Sequence, residues 1–197
     1  MSDFLTQFAP ALPEIFVLAM VSLILVIDAA VDDSKRYIAY VLSLVTLAGA
    51  AFLTLRDFST MPVLALGGLF IDDPLSDVLK LFLYLSVAVV LVYSRDYLQQ
   101  RGLYKGEFFV LALFAQLGMM VMVSASHFLT LYLGLELLSL SLYAMVALQR
   151  DSGVATEAAM KYFVLGALAS GMLLYGMSMV YGVTGSLALG DIAQNLS

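Results

Sequence analysis

Apolar stretches of membrane-crossing length alternate along the chain with short polar connections. Windows of about 19 residues place helices over 12–31, 37–55, 75–94, 107–124, 128–148 and 158–183, each bounded by charges or turn residues. The connections between them are the charged 32–36, a longer 56–74, then 95–105, the very short 124–127 and 150–156. Short connections make consecutive helices antiparallel neighbours, so the pattern predicts an all-α polytopic transmembrane bundle of about six helices. Inside the longer connection, Pro62, Gly67-Gly68 and the apolar run 63–70 predict a short hairpin or a turn lying on the surface. The segment 184–197, with Gly185, Gly190, Asp191, Gln194 and Asn195, reads as a loop leaving the membrane. Without an internal repeat or a low-complexity linker, residues 1–197 read as one membrane domain.

Composition strengthens this picture. Of 197 residues, 62% are hydrophobic, against roughly 45–50% in an ordinary globular chain, which excludes a typical water-soluble domain. The first apolar stretch lacks a basic leader and is followed by others, so it reads as a retained helix and not a cleaved signal. No Cys and one His leave no thiolates for an iron–sulfur cluster, zinc ribbon or disulfide and no pair of histidines for haem. Redox cofactors are therefore not held by these ligands, and no metal-ligand pair is present in the sequence. A formal charge of -6 and the absence of a Lys/Arg-rich run argue against nucleic acid as a partner. Connections one, three and five carry Lys35, Arg36, Arg95, Arg101, Lys105 and Arg150, whereas the other side carries Arg56. By the positive-inside rule, both termini lie on the non-cytoplasmic side.

The informative charges are those that hydropathy puts within spans: Glu14, Asp28, Lys80, Glu136 and Lys161. An ionisable side chain at the bilayer centre costs about 2.5–3.5 kcal/mol on insertion scales. Glu14 follows Pro13 at the start of the first helix, where a carboxylate favours the helix N-terminus. Asp28 lies about one turn from the cytoplasmic end, in reach of water, Lys35 or Arg36. Lys80 stands less than two turns into the third helix, positioned to snorkel or to pair with Asp77 or Asp73. Glu136 is different because it lies near mid-depth and cannot snorkel. Its helical neighbours Tyr132, Ser139 and Tyr143 form a polar stripe amid leucines, which must face protein or water instead of lipid. A working proton-transfer carboxylate competes there with a protonated acid bonded within the bundle.

Lys161 enters about one turn into the sixth helix and is followed by small residues including Gly166, Ser170 and Gly171. Helix rise separates it in depth from Glu136 by about 10 Å, so coupling must pass through water or polar side chains. Snorkelling is its alternative. Gln116, Ser124, Thr130 and Ser170 either extend a hydrated path or make ordinary interhelical bonds. His127, in the short fourth connection, reads as a solvated loop residue. The proton-transfer candidates are thus Glu136 and Lys161, with Tyr132, Ser139, Tyr143, Gln116, Ser170 and Lys80 as an auxiliary polar path.

Residues 128–149, FLTLYLGLELLSLSLYAMVALQ, and 150–181, RDSGVATEAAMKYFVLGALASGMLLYGMSMVY, carry a long joint pattern: an intramembrane Glu in GLELLSLSLY, then ATEAAMKYF and GALASG. With ALPEIF near the start and a third helix holding an Asp and a Lys, the chain resembles the antiporter-like membrane subunits of bacterial respiratory complex I. The resemblance spans the whole chain and is strongest from about residue 105. It implies a proton-translocating subunit of the membrane arm, in the bacterial inner membrane beside other membrane-arm subunits. It also implies that quinone, NADH, FMN and iron–sulfur clusters are handled by other subunits. By matching motif, Glu136 carries over as the family's fifth-helix glutamate and Lys161 as its sixth-helix lysine; Tyr132, Ser139 and Tyr143 rest on spacing alone. Members of the family have about fourteen helices, with further buried lysines in later ones, so six helices correspond to an amino-terminal portion. The rival readings are a related cation/proton antiporter subunit and a structural scaffold segment of a membrane complex.

Overall fold

A computed structural model describes residues 7–30 and 37–195; Lys35 and Arg36, the expected neighbours of Asp28, lie outside them. The described chain is an all-α bundle with six helices long and apolar enough to cross a membrane. A 3-10 turn, Ala9–Ala11, leads into α1, Leu12–Ala30. After α2, Tyr37–Arg56, the chain makes a two-stranded antiparallel hairpin, β1 Val63–Ala65 and β2 Phe70–Asp72, with Val63 opposite Asp72. Then follow α3, Pro74–Gln100; α4, Gly106–Val123; α5, Phe128–Val146; α6, Gly153–Thr184; and a short α7, Leu189–Asn195.

Local chemistry sets several of these boundaries. Asp73 and Ser76 form a reciprocal capping box at the start of α3, with Pro74 at the first helical position, where its missing N–H costs nothing. The Ser152 side chain accepts from Ala155 N and starts α6 at Gly153, five residues before the expected 158. The helix stops at Gly185, whose φ of 69° is the left-handed cap that glycine adopts without a Cβ penalty. Helix α3 also runs six residues past the expected 94, because Arg95 and Asp96 are tolerated in a helix that projects beyond the apolar layer. The hairpin expected over 63–70 is present, turning through Leu66, Gly67 and Gly68, all at positive φ.

The core lies where α1 to α4 meet. Val17, Val21, Ile24, Leu47, Leu91, Phe109, Leu113 and Met120 are buried there. Helices α4 and α5 approach most closely at two glycines: a Cβ on Gly118 would fall 2.7 Å from Gly134 O, and one on Gly134 would fall 2.8 Å from Gly118 O. Helix α6 stands at the edge. Of its 32 residues, Met177 is the buried one, and its packing partners are α5 and α7.

The connections at one end of the bundle are bonded to one another. Ile71 N donates to Ser124 O at 2.8 Å and Ser126 N to Leu69 O at 3.3 Å. Phe128 N donates to Leu187 O at 2.9 Å and Leu189 N to Ser126 O at 3.0 Å. The segment expected to leave the membrane as a loop therefore folds back here: it bridges His127 through Ala188 and then forms α7. Backbone groups next to the apolar layer need partners, and this end supplies them from three separate connections.

Candidate proton-transfer site

Glu136 is the ninth residue of α5, about 12 Å along the axis from its start and 15 Å from its end, which is mid-depth. It is half-buried on the side facing α6. The Ser170 hydroxyl of α6 donates to Glu136 Oε1 in a short hydrogen bond. A serine hydroxyl has one proton to give, so the Tyr132 hydroxyl, 2.9 Å from Ser170 Oγ, donates to it. The result is a directed row, Tyr132 to Ser170 to Glu136, across the seam between two helices. Tyr132 lies one turn before Glu136, which puts both on one face.

The other members of the expected path stand elsewhere. Tyr143 packs edge-on against Tyr162 and Phe163, with centroids 4.8 and 5.7 Å apart. Its hydroxyl sits against Gly166, where a Cβ would overlap it, so it closes the α5–α6 seam and is not in the Glu136 row. Ser139 is half-buried, whereas the buried serine of α5 is Ser141, bonded to Leu137 O at 2.6 Å. Gln116 is fully buried in α4, with its amide atoms unpartnered among the described residues; it belongs to the interior of the first four helices.

Lys161 lies nine residues before Ser170 on α6, about 14 Å along the axis. Its ammonium pairs with Glu157 at 2.5 Å, and both side chains are largely exposed. The expected separation from Glu136 is therefore present, and Lys161 has a partner of its own one turn away.

One expectation needs correction: Lys80 neither snorkels nor pairs with Asp73 or Asp77. Glu14 stands in the first turn of α1 as expected, and it is buried. The two meet: Lys80 Nζ lies 2.8 Å from Glu14 Oε1, with side-chain exposures of 0% and 8%. The reason is topological. Helices α1 and α3 both begin at the hairpin end, so their early residues share a depth, and two opposite charges within reach offset each other's desolvation. Opposite charges at matching depth on parallel-running helices were the signal in the sequence. Aspartates 72 and 77 instead hold Ser59: Ser59 N donates to Asp77 Oδ2 at 2.9 Å and Ser59 Oγ to Asp72 Oδ2 at 2.5 Å. Asp28, for its part, places its carboxylate directly against Gly106, the first residue of α4, where helix N–H groups favour negative charge. His127 is also more than a solvated loop residue, since its Nδ1 accepts from Leu129 N at 3.2 Å and caps α5.

The fold and these interior charges define a polytopic all-α membrane protein with ionisable and hydroxyl side chains gathered between its helices. Residues 125–197, which include Glu136, Lys161 and Ser170, match the family model described as NADH:quinone oxidoreductase/Mrp antiporter, TM. Over 189 residues the chain is 93% identical to NADH-quinone oxidoreductase subunit N of Thiobacillus denitrificans, covering 96% of this chain and 39% of that protein. It is 61% identical over 194 residues to subunit N of Nitrosomonas europaea, covering 98% and 40%. Among solved structures it is similar to a chain of respiratory complex I from Thermus thermophilus with bound aureothin, at a TM-score of 0.74 and 31% identity over 90% of this chain and 38% of that one. A chain of the archaeal membrane-bound sulfane sulfur reductase shares the fold, with a TM-score of 0.77 at 22% identity, covering 95% of this chain and 40% of that one. The chain spans about two fifths of the length of the curated relatives it matches.

Proposed function

We propose that this chain forms part of a proton-translocating membrane subunit of an NADH:quinone oxidoreductase, in which Glu136 takes up and releases a proton near mid-membrane. The observation that carries this reading is the Tyr132–Ser170–Glu136 row. With Glu136 ionised, the hydroxyls donate toward it. In proton uptake along the row the Ser170 O–H bond breaks as the Glu136 O–H bond forms, Ser170 takes the Tyr132 proton, Tyr132 regains one from water, and hydroxyl rotation then resets the row. Lys161, paired with Glu157, supplies a positive charge on the cytoplasmic half of α6. Its release from Glu157 toward the bundle would bring that charge closer to Glu136.

In this reading the chain is one membrane domain of a bacterial inner-membrane complex, beside other membrane-arm subunits and with both termini non-cytoplasmic. NADH, FMN, iron–sulfur clusters and quinone are handled by those other subunits, and the energy of their reaction reaches Glu136 through conformational or electrostatic change. The similarity to subunit N supports this assignment.

The test uses the full-length chain in the assembled complex, reconstituted in liposomes. Glu136→Gln keeps the shape and removes the titratable group, and proton uptake per NADH oxidised is expected to fall by an order of magnitude with assembly intact. Lys161→Ala is expected to have a weaker or comparable effect. Parental pumping after neutralising both would favour a scaffold role. Na⁺-dependent exchange in vesicles, without NADH oxidation, would favour the antiporter half of the matching family description.

A further inference from the structure

At the hairpin end, three carboxylates and one ammonium are buried together. Glu14 comes from α1, Asp77 and Lys80 from α3, and Asp72 from β2; all four side chains are buried. Electrostatic coupling joins Glu14 to Lys80 and Asp72, and Asp77 to Asp72 and Lys80. The Lys80 ammonium also lies 5.1 Å from the centre of the Phe70 ring. The remaining titratable neighbour is Tyr84 of α3, whose hydroxyl is bonded to Thr54 of α2 at 3.2 Å. Helix α4 contributes Leu117 and Val121, and the connection before β1 contributes Ser59, none of them charged. The cluster thus sets one positive charge beside as many as three negative ones in a buried setting.

A second observation singles out Glu14 within this cluster. Its Oε1 faces Lys80, while its Oε2 is buried without a hydrogen-bond partner among the described residues. Glu14 also lines a cleft of about 310 Å³ whose other walls include Phe8, Leu66, Phe70, Leu117 and Thr130. In that otherwise apolar wall, Glu14 is the ionisable group. Asp72 and Asp77 each give an oxygen to Ser59 and are thereby held as acceptors.

We propose that Glu14 is a second proton-exchanging carboxyl of this chain, with Lys80 as its fixed counter-charge and the cleft as its route to water on the hairpin side. In the exchange, the carboxylic O–H bond at Glu14 Oε2 breaks, the electron pair stays on the carboxylate and the proton leaves to water in the cleft; uptake is the reverse. Lys80 is a positioning residue, its ammonium 2.8 Å from Glu14 Oε1.

The experiment uses the intact complex carrying the full-length chain, with Glu136→Gln prepared in parallel. Glu14→Gln alone leaves Lys80 without its partner, so the deciding variant is Glu14→Gln with Lys80→Met, which has no unpaired buried charge at this pair. It is expected to assemble, to lose a pH-dependent carboxylic C=O band in infrared difference spectra, and to pump several-fold fewer protons per NADH oxidised. Assembly with parental pumping and an unchanged infrared difference spectrum would overturn the proposal and leave the pair as a packing element. Should the neutral pair fail to assemble, Glu14→Asp decides, because it keeps a negative charge near Lys80 but shortens the acid's reach. A displaced pH profile of pumping supports exchange at Glu14, and an unmoved profile rejects it. The infrared band separates this result from the fate of the mid-membrane site: normal pumping in Glu136→Gln would sink that reading and leave the Glu14 band untouched.

Discussion

Ser170 gives its single proton to Glu136 and takes one from Tyr132, so removing its hydroxyl cuts the row at its middle. Ser170→Ala in the assembled complex is expected to slow proton uptake several-fold, less than Glu136→Gln does, whereas Ser170→Thr, which keeps a hydroxyl, stays near the parent. Equal rates in the two Ser170 variants, measured as uptake per NADH oxidised, would reduce the row to ordinary interhelical bonding worth about 0.6 kcal/mol. Glu136 was legible in the sequence because a carboxylate amid leucines at mid-depth has no cheap way out. Ser170 was one of several hydroxyls with equal standing until α6 brought it onto the acid. The pairing of Glu14 with Lys80 was not legible, because a helix-start carboxylate needs no partner and the sequence does not say which helix packs against that start.

Between elements, the decisive contact is the glycine crossing of α4 and α5. Gly118 and Gly134 each face the other's carbonyl at distances that leave no room for a Cβ, which draws the helix carrying Glu136 onto the core. Gly118→Leu is expected to force the helices apart at a cost of about 1–3 kcal/mol or more, and thermal unfolding of the complex would report it as a lowered transition. An unaltered transition would mean that the crossing relaxes freely. The six helices themselves were readable from hydropathy, as was the hairpin, since Pro62 and Gly67-Gly68 interrupt an apolar run too short to span. Their ends were read less well: α3 runs on through the largely polar residues 95–100, and α6 starts early because Ser152 caps it at Gly153. The return of the chain into α7 was not legible, since the bonds from Phe128 N to Leu187 O and from Leu189 N to Ser126 O join residues about 60 positions apart.

For the whole molecule, the distribution of Lys and Arg fixes an expected orientation with the hairpin outside. Met61, 75% exposed beside the hairpin, and Arg101, at the opposite end after α3, test it. In intact cells, Met61→Cys is expected to react with an impermeant thiol reagent from the outer face and Arg101→Cys to resist it until the membrane is opened. The reverse pattern would invert the topology. The chain has no cysteine of its own, so the labelling has no background from it. The bundle also divides its charges by place: the Glu14 cluster lies at the hairpin end among α1, α3 and β2, while the Glu136 row lies at the α5–α6 edge, where α6 is held along one side.

The number of spans, their order and the presence of an acid in mid-membrane were written into the linear pattern, because burying 20 residues in hydrocarbon demands apolar side chains throughout and any charge left among them stands out. Which groups those charges meet was decided by packing alone. Helix rotation and neighbour choice depend on small surfaces such as the Gly118–Gly134 contact and the Tyr143–Gly166 seam, which hydropathy does not register. A rotation of about 100° about the helix axis, one residue's step, separates a serine against lipid from one that donates to Glu136, and the amino-acid order on that helix is the same in both cases.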